Sequence, residues 1–221
     1  MRGFVFFLSI LLSLNAFAHE ISGTVEVLLK GGKKKTDLTS VVVYLSQSKE
    51  SKIPDSVVKN NFSMATRNKQ FIPQVLAVPV GATVDFPNYD SIFHNLFSVS
   101  APNQFDLGLY KGGESRTNRF EASGIVRVFC NVHPQMTATI VVTDTPYFTT
   151  ADRDGNFSLG DIPNGSYEVH AYTEEGQAAS KVEMNAAPVK LSLTVDASKY
   201  KKLPHKNKFG KDYPSDTNAS Y

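Results

Sequence analysis

Short strand-like segments separated by turn residues run along most of this chain, and no stretch keeps a helical period over a useful length. Alternating apolar and polar side chains, or short runs rich in β-branched residues, predict strands. The strands are expected at residues 21–28, 41–45, 61–65, 74–78, 84–86, 124–129 and 138–142, as a loop leading to a strand at 87–99, as a strand, turn and strand at 147–159, and at 162–172. This pattern predicts an all-β chain folded into sandwiches or barrels.

A short segment between two of these strands concentrates side chains that bind metals. Cys130, His133 and Met136 stand three residues apart, and His94 lies upstream. Thiolate, imidazole and thioether ligands suit copper, and two His, one Cys and a weak axial Met form a blue-copper site. We therefore expect one type 1 copper ion per chain, although zinc also accepts sulfur and nitrogen ligands.

Each of these residues also has a purely structural interpretation. His94 could be a core histidine, Met136 could fill core space, and His133 with Pro134 could simply form a turn. Cys130, the single cysteine, could be buried and inert or paired between chains, because one cysteine cannot form an internal disulfide. The combination of all four in one order favours the metal site.

The N-terminal residues have the pattern of a secretory signal peptide at residues 1–18. Arg2 precedes an apolar run at residues 4–14, and the small-x-small sequence at 16–18 predicts cleavage before His19. We expect export to a bacterial periplasm. A membrane anchor is the alternative, but the run is too short to span a bilayer, and no other long apolar segment predicts a membrane span.

The charge distribution excludes one class of partner. A net charge of +2 over 221 residues, with no basic stripe before the C-terminal tail, gives no reason to expect a nucleic-acid partner. Residues 199–221 are rich in lysine and predict a basic, mobile tail. Residues 46–56, rich in Ser and Lys, have the composition of a linker.

Residues 57–143 resemble a cupredoxin of the plastocyanin and amicyanin type. The matching features are, in order, Phe-Ile-Pro at 71–73, Val-Gly-Ala-Thr-Val-Asp-Phe-Pro-Asn at 80–88, His-Asn at 94–95, and the segment 130–136. The three-residue steps within the last segment resemble the short ligand loop of amicyanin. The resemblance implies a cupredoxin Greek-key β-sandwich.

The resemblance also implies a ligand role for four residues. His94 would be the buried imidazole ligand and Cys130 the thiolate. His133 would be the imidazole nearer the surface, and Met136 the weak axial ligand.

Three neighbours of the ligands are interpreted through the same resemblance. Asn95 would tie the two ligand loops together and point its backbone N–H at the cysteine sulfur. Pro134 has no N–H to offer, which leaves Asn95 as the expected sole donor to the sulfur. Phe93 departs from the family, where proline often precedes the histidine, so the shape of that loop is left open.

The remaining strands resemble a different, smaller β-sandwich. Thr-x-Asp-x-Asp-Gly-x-Phe at 150–157 and Ile-Pro-x-Gly-x-Tyr at 162–167 resemble the carboxypeptidase regulatory-like, transthyretin-like fold. That family begins with two strands, which residues 19–47 would supply, and residues 146–198 would supply the rest. The cupredoxin would then be inserted between them. The alternative is a tandem in which residues 21–45 belong to the cupredoxin sheets.

The turn within this second sandwich also has two interpretations. Asp152, Asp154 and Asn156 place oxygen atoms at alternate positions, as calcium sites do. The loop is too short for an EF-hand and lacks its downstream glutamate, so a solvated hairpin turn is favoured.

The resemblance implies a non-enzymatic periplasmic electron carrier whose redox partner docks near His133. The alternative is a copper-handling protein without electron-transfer turnover. An enzyme is disfavoured because the chain has no second His-rich cluster and no nucleophile paired with a base.

Overall fold

The computed structural model describes residues 19–47, 58–185, 187–202 and 204–213. The predicted signal peptide, residues 48–56 of the predicted linker and residues 214–221 of the tail lie outside these described residues. β-strands dominate the described part of the chain, which confirms the all-β prediction. The strands are β1 (Ile21–Leu28), β2 (Val42–Gln47), β3 (Phe62–Ser63), β4 (Ala65–Arg67), β5 (Gln70–Ile72), β6 (Val75–Pro79), β7 (Thr83–Pro87), β8 (His94–Ser98), β9 (Phe105–Tyr110), β10 (Ser115–Arg119), β11 (Gly124–Cys130), β12 (Thr137–Thr143), β13 (Phe148–Thr150), β14 (Asn156–Leu159), β15 (Gly165–Thr173), β16 (Gly176–Met184) and β17 (Val189–Asp196).

Strands from the two ends of the described chain form one unit, here called the outer sandwich. One sheet has the order β14-β1-β17 and the other the order β13-β2-β15-β16. β1 runs antiparallel to β14 and parallel to β17. Both sheets contribute to one apolar core, so they pack face to face. Its members include Ile21, Val27, Leu45, Phe157, Val169 and Val195.

Residues 58–143 form a second unit, here called the inner sandwich. Its larger sheet has the order β6-β12-β11-β8-β9, its smaller sheet the order β10-β7-β3, and β4 pairs with β5. Cys130 at the end of β11 pairs with Leu96 of β8, the strand that begins at His94. Two candidate ligands therefore come from neighbouring strands. The core includes Phe86, Leu96, Phe120, Val128, Cys130 and Ile140.

The two sandwiches meet where the chain passes between them. The Thr143 hydroxyl donates to the Thr145 carbonyl at 2.8 Å, and the Thr145 hydroxyl donates to the Leu45 carbonyl of β2 at 2.7 Å. Val141 of β12 shares an apolar cluster with Val42 of β2. Every residue of β12 is buried as a result, since this strand faces the inner core on one side and the outer sandwich on the other.

The predicted strands are largely present, with instructive differences. The strand expected at 61–65 is divided: β3 joins β7, and β4 forms a hairpin with β5. β5, β9, β10, β16 and β17 were not among the predicted strands. β10 has the sequence Ser-Arg-Thr-Asn-Arg and no buried residue, so its strand conformation comes from pairing with β7 rather than from an apolar pattern.

The Asp152 turn has the hydrogen bonds of a hairpin. The Asp152 carboxylate accepts from the backbone N–H groups of Asp154 and Asn156 and from the Asn156 amide, at 2.8–2.9 Å. These donors lower the pKa of Asp152. Its oxygens thus organise the turn, as a short Asx turn does.

Residues 204–213 differ from the mobile tail that their lysine content predicts. They pack against the inner sandwich, where Lys208 Nζ lies 2.7 Å from Asp106 Oδ2 and the Tyr213 hydroxyl donates to the Cys130 carbonyl at 3.0 Å. His205 and Tyr213 make aromatic ring contacts, which a lysine-rich composition does not predict. Within the described part of the chain, no helix is long and apolar enough to cross a bilayer.

Candidate metal centre

The loop joining β11 to β12, residues 130–136, is closed by its own backbone and is here called the ligand loop. The Cys130 N–H donates to the Met136 carbonyl at 3.3 Å, and the Met136 N–H donates to the His133 carbonyl at 3.0 Å. The Asn131 N–H donates to the Asn95 carbonyl at 2.8 Å. This last bond joins the ligand loop to β8, which carries His94.

Three potential ligand atoms converge at this end of the inner sandwich. Cys130 Sγ lies 3.6 Å from His94 Nδ1 and 3.7 Å from His133 Nδ1. The two Nδ1 atoms are 3.2 Å apart. Cys130 and His94 are buried and His133 is half-buried. Among the described residues, this is the group of His, Cys, Asp and Glu side chains whose geometry could hold a metal ion.

The separations fit a single transition-metal ion. Such an ion lies about 2.0 Å from imidazole nitrogen and about 2.3 Å from thiolate sulfur, and three ligand atoms 3.2–3.7 Å apart can surround it at these distances. Met136 is buried in the same apolar cluster as Cys130. One thiol and two imidazoles beside a thioether suit copper.

Asp90 fixes the orientation of the His94 ring. Its Oδ2 lies 2.8 Å from His94 Nε2, and its carboxylate also accepts from the backbone N–H groups of Asn68 and Lys69, at 2.5 and 3.2 Å. An Nε2–H donated to the carboxylate leaves the Nδ1 lone pair facing Cys130. Asp90 is not among the residues predicted from the sequence, where its available signal was its position four residues before His94.

The two imidazoles are held in the form that binds metal. Burial lowers the pKa of His133 to about 4, and the nearby His94 acts in the same direction. Burial also lowers the pKa of His94, against the opposing effect of Asp90. Both rings are therefore neutral at pH 7, with lone pairs free for a ligand.

Three backbone N–H groups act on the cysteine sulfur. Burial raises the pKa of the Cys130 thiol, whereas the N–H groups of Asn95, Val132 and His133 lower it. The expectation that Asn95 is the sole donor is therefore wrong. Two of these residues, Val132 and His133, belong to the ligand loop itself, and the next residue, Pro134, has no N–H.

Asn95 joins the two loops through its backbone. Its carbonyl accepts from Asn131, whereas its side-chain amide donates to Asp106 Oδ1 at 2.5 Å and to the Gly108 carbonyl at 3.1 Å. The side chain thus braces β9 rather than the ligand loop. Pro134 contributes its carbonyl, which lies 2.8 Å from His205 Nε2.

We expect Asp90→Asn to weaken metal binding about 10–100-fold, the usual effect of removing a group that orients a metal-binding histidine. The neutral amide keeps the size of the side chain but loses the charge that fixes the ring tautomer. Competition titration with a copper chelator measures the change. Asp154→Asn, in the outer sandwich, is the matched control and should bind as the wild type does. Equal affinity in both variants would contradict the role of Asp90.

We expect the metal-free protein to lose stability as the pH falls from 6.5 towards about 4. In this window unfolded His133 takes up a proton that the folded protein resists, so acid favours the unfolded state. Urea unfolding at several pH values measures the effect. His133→Gln should flatten the dependence, and an equally steep curve in that variant would show that other groups cause it.

Comparisons with known proteins find structural likenesses. No protein-family profile matches the chain, and no curated protein sequence matches it. A purple cupredoxin from Nitrosopumilus maritimus is 24% identical, with a TM-score of 0.34 over 38% of this chain and 100% of that chain. A copper-containing nitrite reductase from Thermus scotoductus is 26% identical, with a TM-score of 0.36 over 38% of this chain and 22% of that chain.

An amicyanin mutant in its reduced state is 22% identical, with a TM-score of 0.35 over 45% of this chain and 98% of that chain. Each of these alignments covers less than half of the present chain.

Proposed function

We propose that this chain is a cupredoxin-type electron carrier that holds one copper ion with His94, Cys130, His133 and Met136. The observation that carries the proposal is the convergence of one thiol and two imidazole nitrogens within 3.7 Å of one another. When bound, copper supplies a one-electron couple between Cu(I) and Cu(II) at this point. The rest of the function depends on how the chain holds the ligands.

The protein's own contribution is a rigid, largely dry set of ligands. Asp90 holds His94, three N–H groups act on the sulfur of Cys130, and the backbone of Met136 is hydrogen-bonded to Cys130 and His133. Ligands that keep the same positions for both oxidation states of the metal make the reorganisation energy of electron transfer small. This rigidity distinguishes a carrier from a site that must open to release its metal.

His133 is the proposed exit for electrons. It is half-buried, whereas His94 is fully buried, so its ring offers the shorter path to a partner. The neighbouring Val132 and Pro134 are half-buried and apolar. We propose that a redox partner docks there through a small contact, as weak redox encounters do.

The proposal extends to the arrangement and location of the chain. Residues 57–143 would form the cupredoxin domain, inserted into a regulatory-like sandwich made of residues 19–47 and 146–198. The pairing of β1 with β14 and β17 supports this division. Residues 1–18 would direct export to the periplasm before cleavage.

Addition of one equivalent of Cu(II) to the metal-free protein tests the function. The carrier requires intense visible absorption and a type 1 paramagnetic-resonance signal, both lost with reductant and restored by oxidant over repeated cycles. Zn(II) serves as the control, because it should occupy the site without colour. A colourless complex formed with Cu(I) alone would overturn the carrier in favour of copper handling without turnover.

A further inference from the structure

Residues 204–213 of the tail fold into a compact hairpin, here called the strap. Asn207 organises it: its side-chain oxygen accepts from the N–H groups of Phe209 and Lys211, at 3.0 and 3.1 Å, and its backbone N–H donates to the Lys211 carbonyl at 2.9 Å. Gly210 takes the left-handed conformation, with φ 74°, that this turn needs. The strap therefore has a defined shape.

The hairpin places two rings side by side. Lys206 Nζ and Asp212 Oδ1, one on each arm, form an ion pair at 2.6 Å. The rings of His205 and Tyr213 lie edge to face, with centroids 5.2 Å apart. These two side chains face the inner sandwich.

Both rings contact the ligand loop. His205 stacks on Phe129 with centroids 4.2 Å apart, and its Nε2 lies 2.8 Å from the Pro134 carbonyl. The Tyr213 hydroxyl donates to the Cys130 carbonyl at 3.0 Å. The strap thus binds the backbone of the ligand loop at its first residue and just beyond His133.

Lys208 connects the strap to both ligand-bearing segments. Its backbone N–H donates to Asn131 Oδ1 at 3.0 Å, and its Nζ lies 2.7 Å from Asp106 Oδ2. Asp106 Oδ1 accepts from the Asn95 amide at 2.5 Å. Since Asn95 neighbours His94, Lys208 contacts the ligand loop through Asn131 and, through Asp106, the hydrogen bonds beside His94.

We propose that the strap is a positioning element of the metal centre, in which Tyr213 and His205 hold the ligand loop in its metal-binding geometry. For His133 to leave a bound metal, the loop has to move, and movement breaks the contacts at Cys130 and Pro134. The strap therefore retards loss of metal and fixes the environment of the thiolate. The part of this inference that concerns copper rests on the proposed function.

Two conservative variants and a truncation test the strap. Tyr213→Phe and His205→Phe each keep a ring and remove the hydrogen bond to the ligand loop, together with the 3.3 Å contact between the Tyr213 hydroxyl and His205 Nδ1. A stop after Leu203 removes the strap entirely. Amide hydrogen exchange at residues 131–133, 135 and 136 in the metal-free protein should become about three- to tenfold faster in each point variant, the range set by a net hydrogen bond. The truncation should have the larger effect. Lys211→Ala, an exposed side chain on the same strap, should change nothing.

The copper-loaded protein supplies a second readout. Copper loss to a chelator should accelerate by a similar factor, and the visible spectrum should shift in Tyr213→Phe. Unchanged exchange in the variants and the truncation overturns the inference. Faster exchange with unaltered copper loss and spectrum also overturns it, because the strap would then only pack against the loop. If the wild type takes up no copper, the proposed function fails, while the exchange result still decides whether the strap holds the loop.

Discussion

Replacing Cys130 with Ser is expected to abolish the visible absorption of the copper-loaded protein. The thiolate is the single sulfur anion in the site, and its Sγ lies 3.6 and 3.7 Å from the two imidazole nitrogens. A hydroxyl at this position stays protonated near neutral pH and cannot provide the same sulfur-to-copper charge transfer. Affinity for Cu(I) should fall by more than about 100-fold, since groups that merely orient ligands already change affinity 10–100-fold.

The matched control for this substitution is Thr137→Ser, at the residue that follows the ligand loop. Thr137 is buried and is not a proposed ligand, so this variant should keep the full absorption. Circular dichroism shows whether both variants retain their strands. A folded Cys130→Ser protein with the wild-type spectrum would remove Cys130 from the site and the proposed function with it.

The ligand loop could be predicted from sequence because its chemistry is local. Cys130, His133 and Met136 lie within seven residues, between two strands with clear apolar patterns. His94 needed the order of motifs in the resemblance, since nothing in its own neighbourhood indicates a ligand. The convergence of its Nδ1 with Cys130 and His133 is a tertiary result of the pairing between β8 and β11.

The groups that support the site could not be predicted in this way. Asp90 accepts hydrogen bonds from Asn68, Lys69 and His94. In the sequence, only its position four residues before His94 relates it to a ligand. The contacts of Tyr213 with Cys130 span 83 residues. The residues that bond to Asp90 and Tyr213 lie at no fixed spacing from them in the sequence. A lysine-rich composition also predicts a solvated segment rather than a packed one.

The same distinction holds for the strands. β12 is rich in β-branched residues, a composition that predicts a strand, and all its residues are buried. β10 is polar throughout and becomes a strand through β7. The parallel pairing of β1 with β17 joins residues at opposite ends of the described chain, and such a register carries no local signal.

Gly155→Ala is expected to destabilise the outer sandwich by about 3 kcal/mol or more. Gly155 has φ 90°, and an added Cβ would overlap the Val25 carbonyl of β1 and approach Leu38 Cδ1 to 2.7 Å. The left-handed backbone alone costs alanine about 1–2 kcal/mol, and the overlap with backbone adds to it, because β1 cannot rotate away.

Gly31→Ala isolates the first contribution, since Gly31 has φ 77° and no atom within 4 Å of its added Cβ. Urea unfolding should therefore show a loss of about 1–2 kcal/mol in that control. Equal losses in the two variants would mean that residue 155 does not press on β1, and would contradict a sandwich assembled from both ends of the chain.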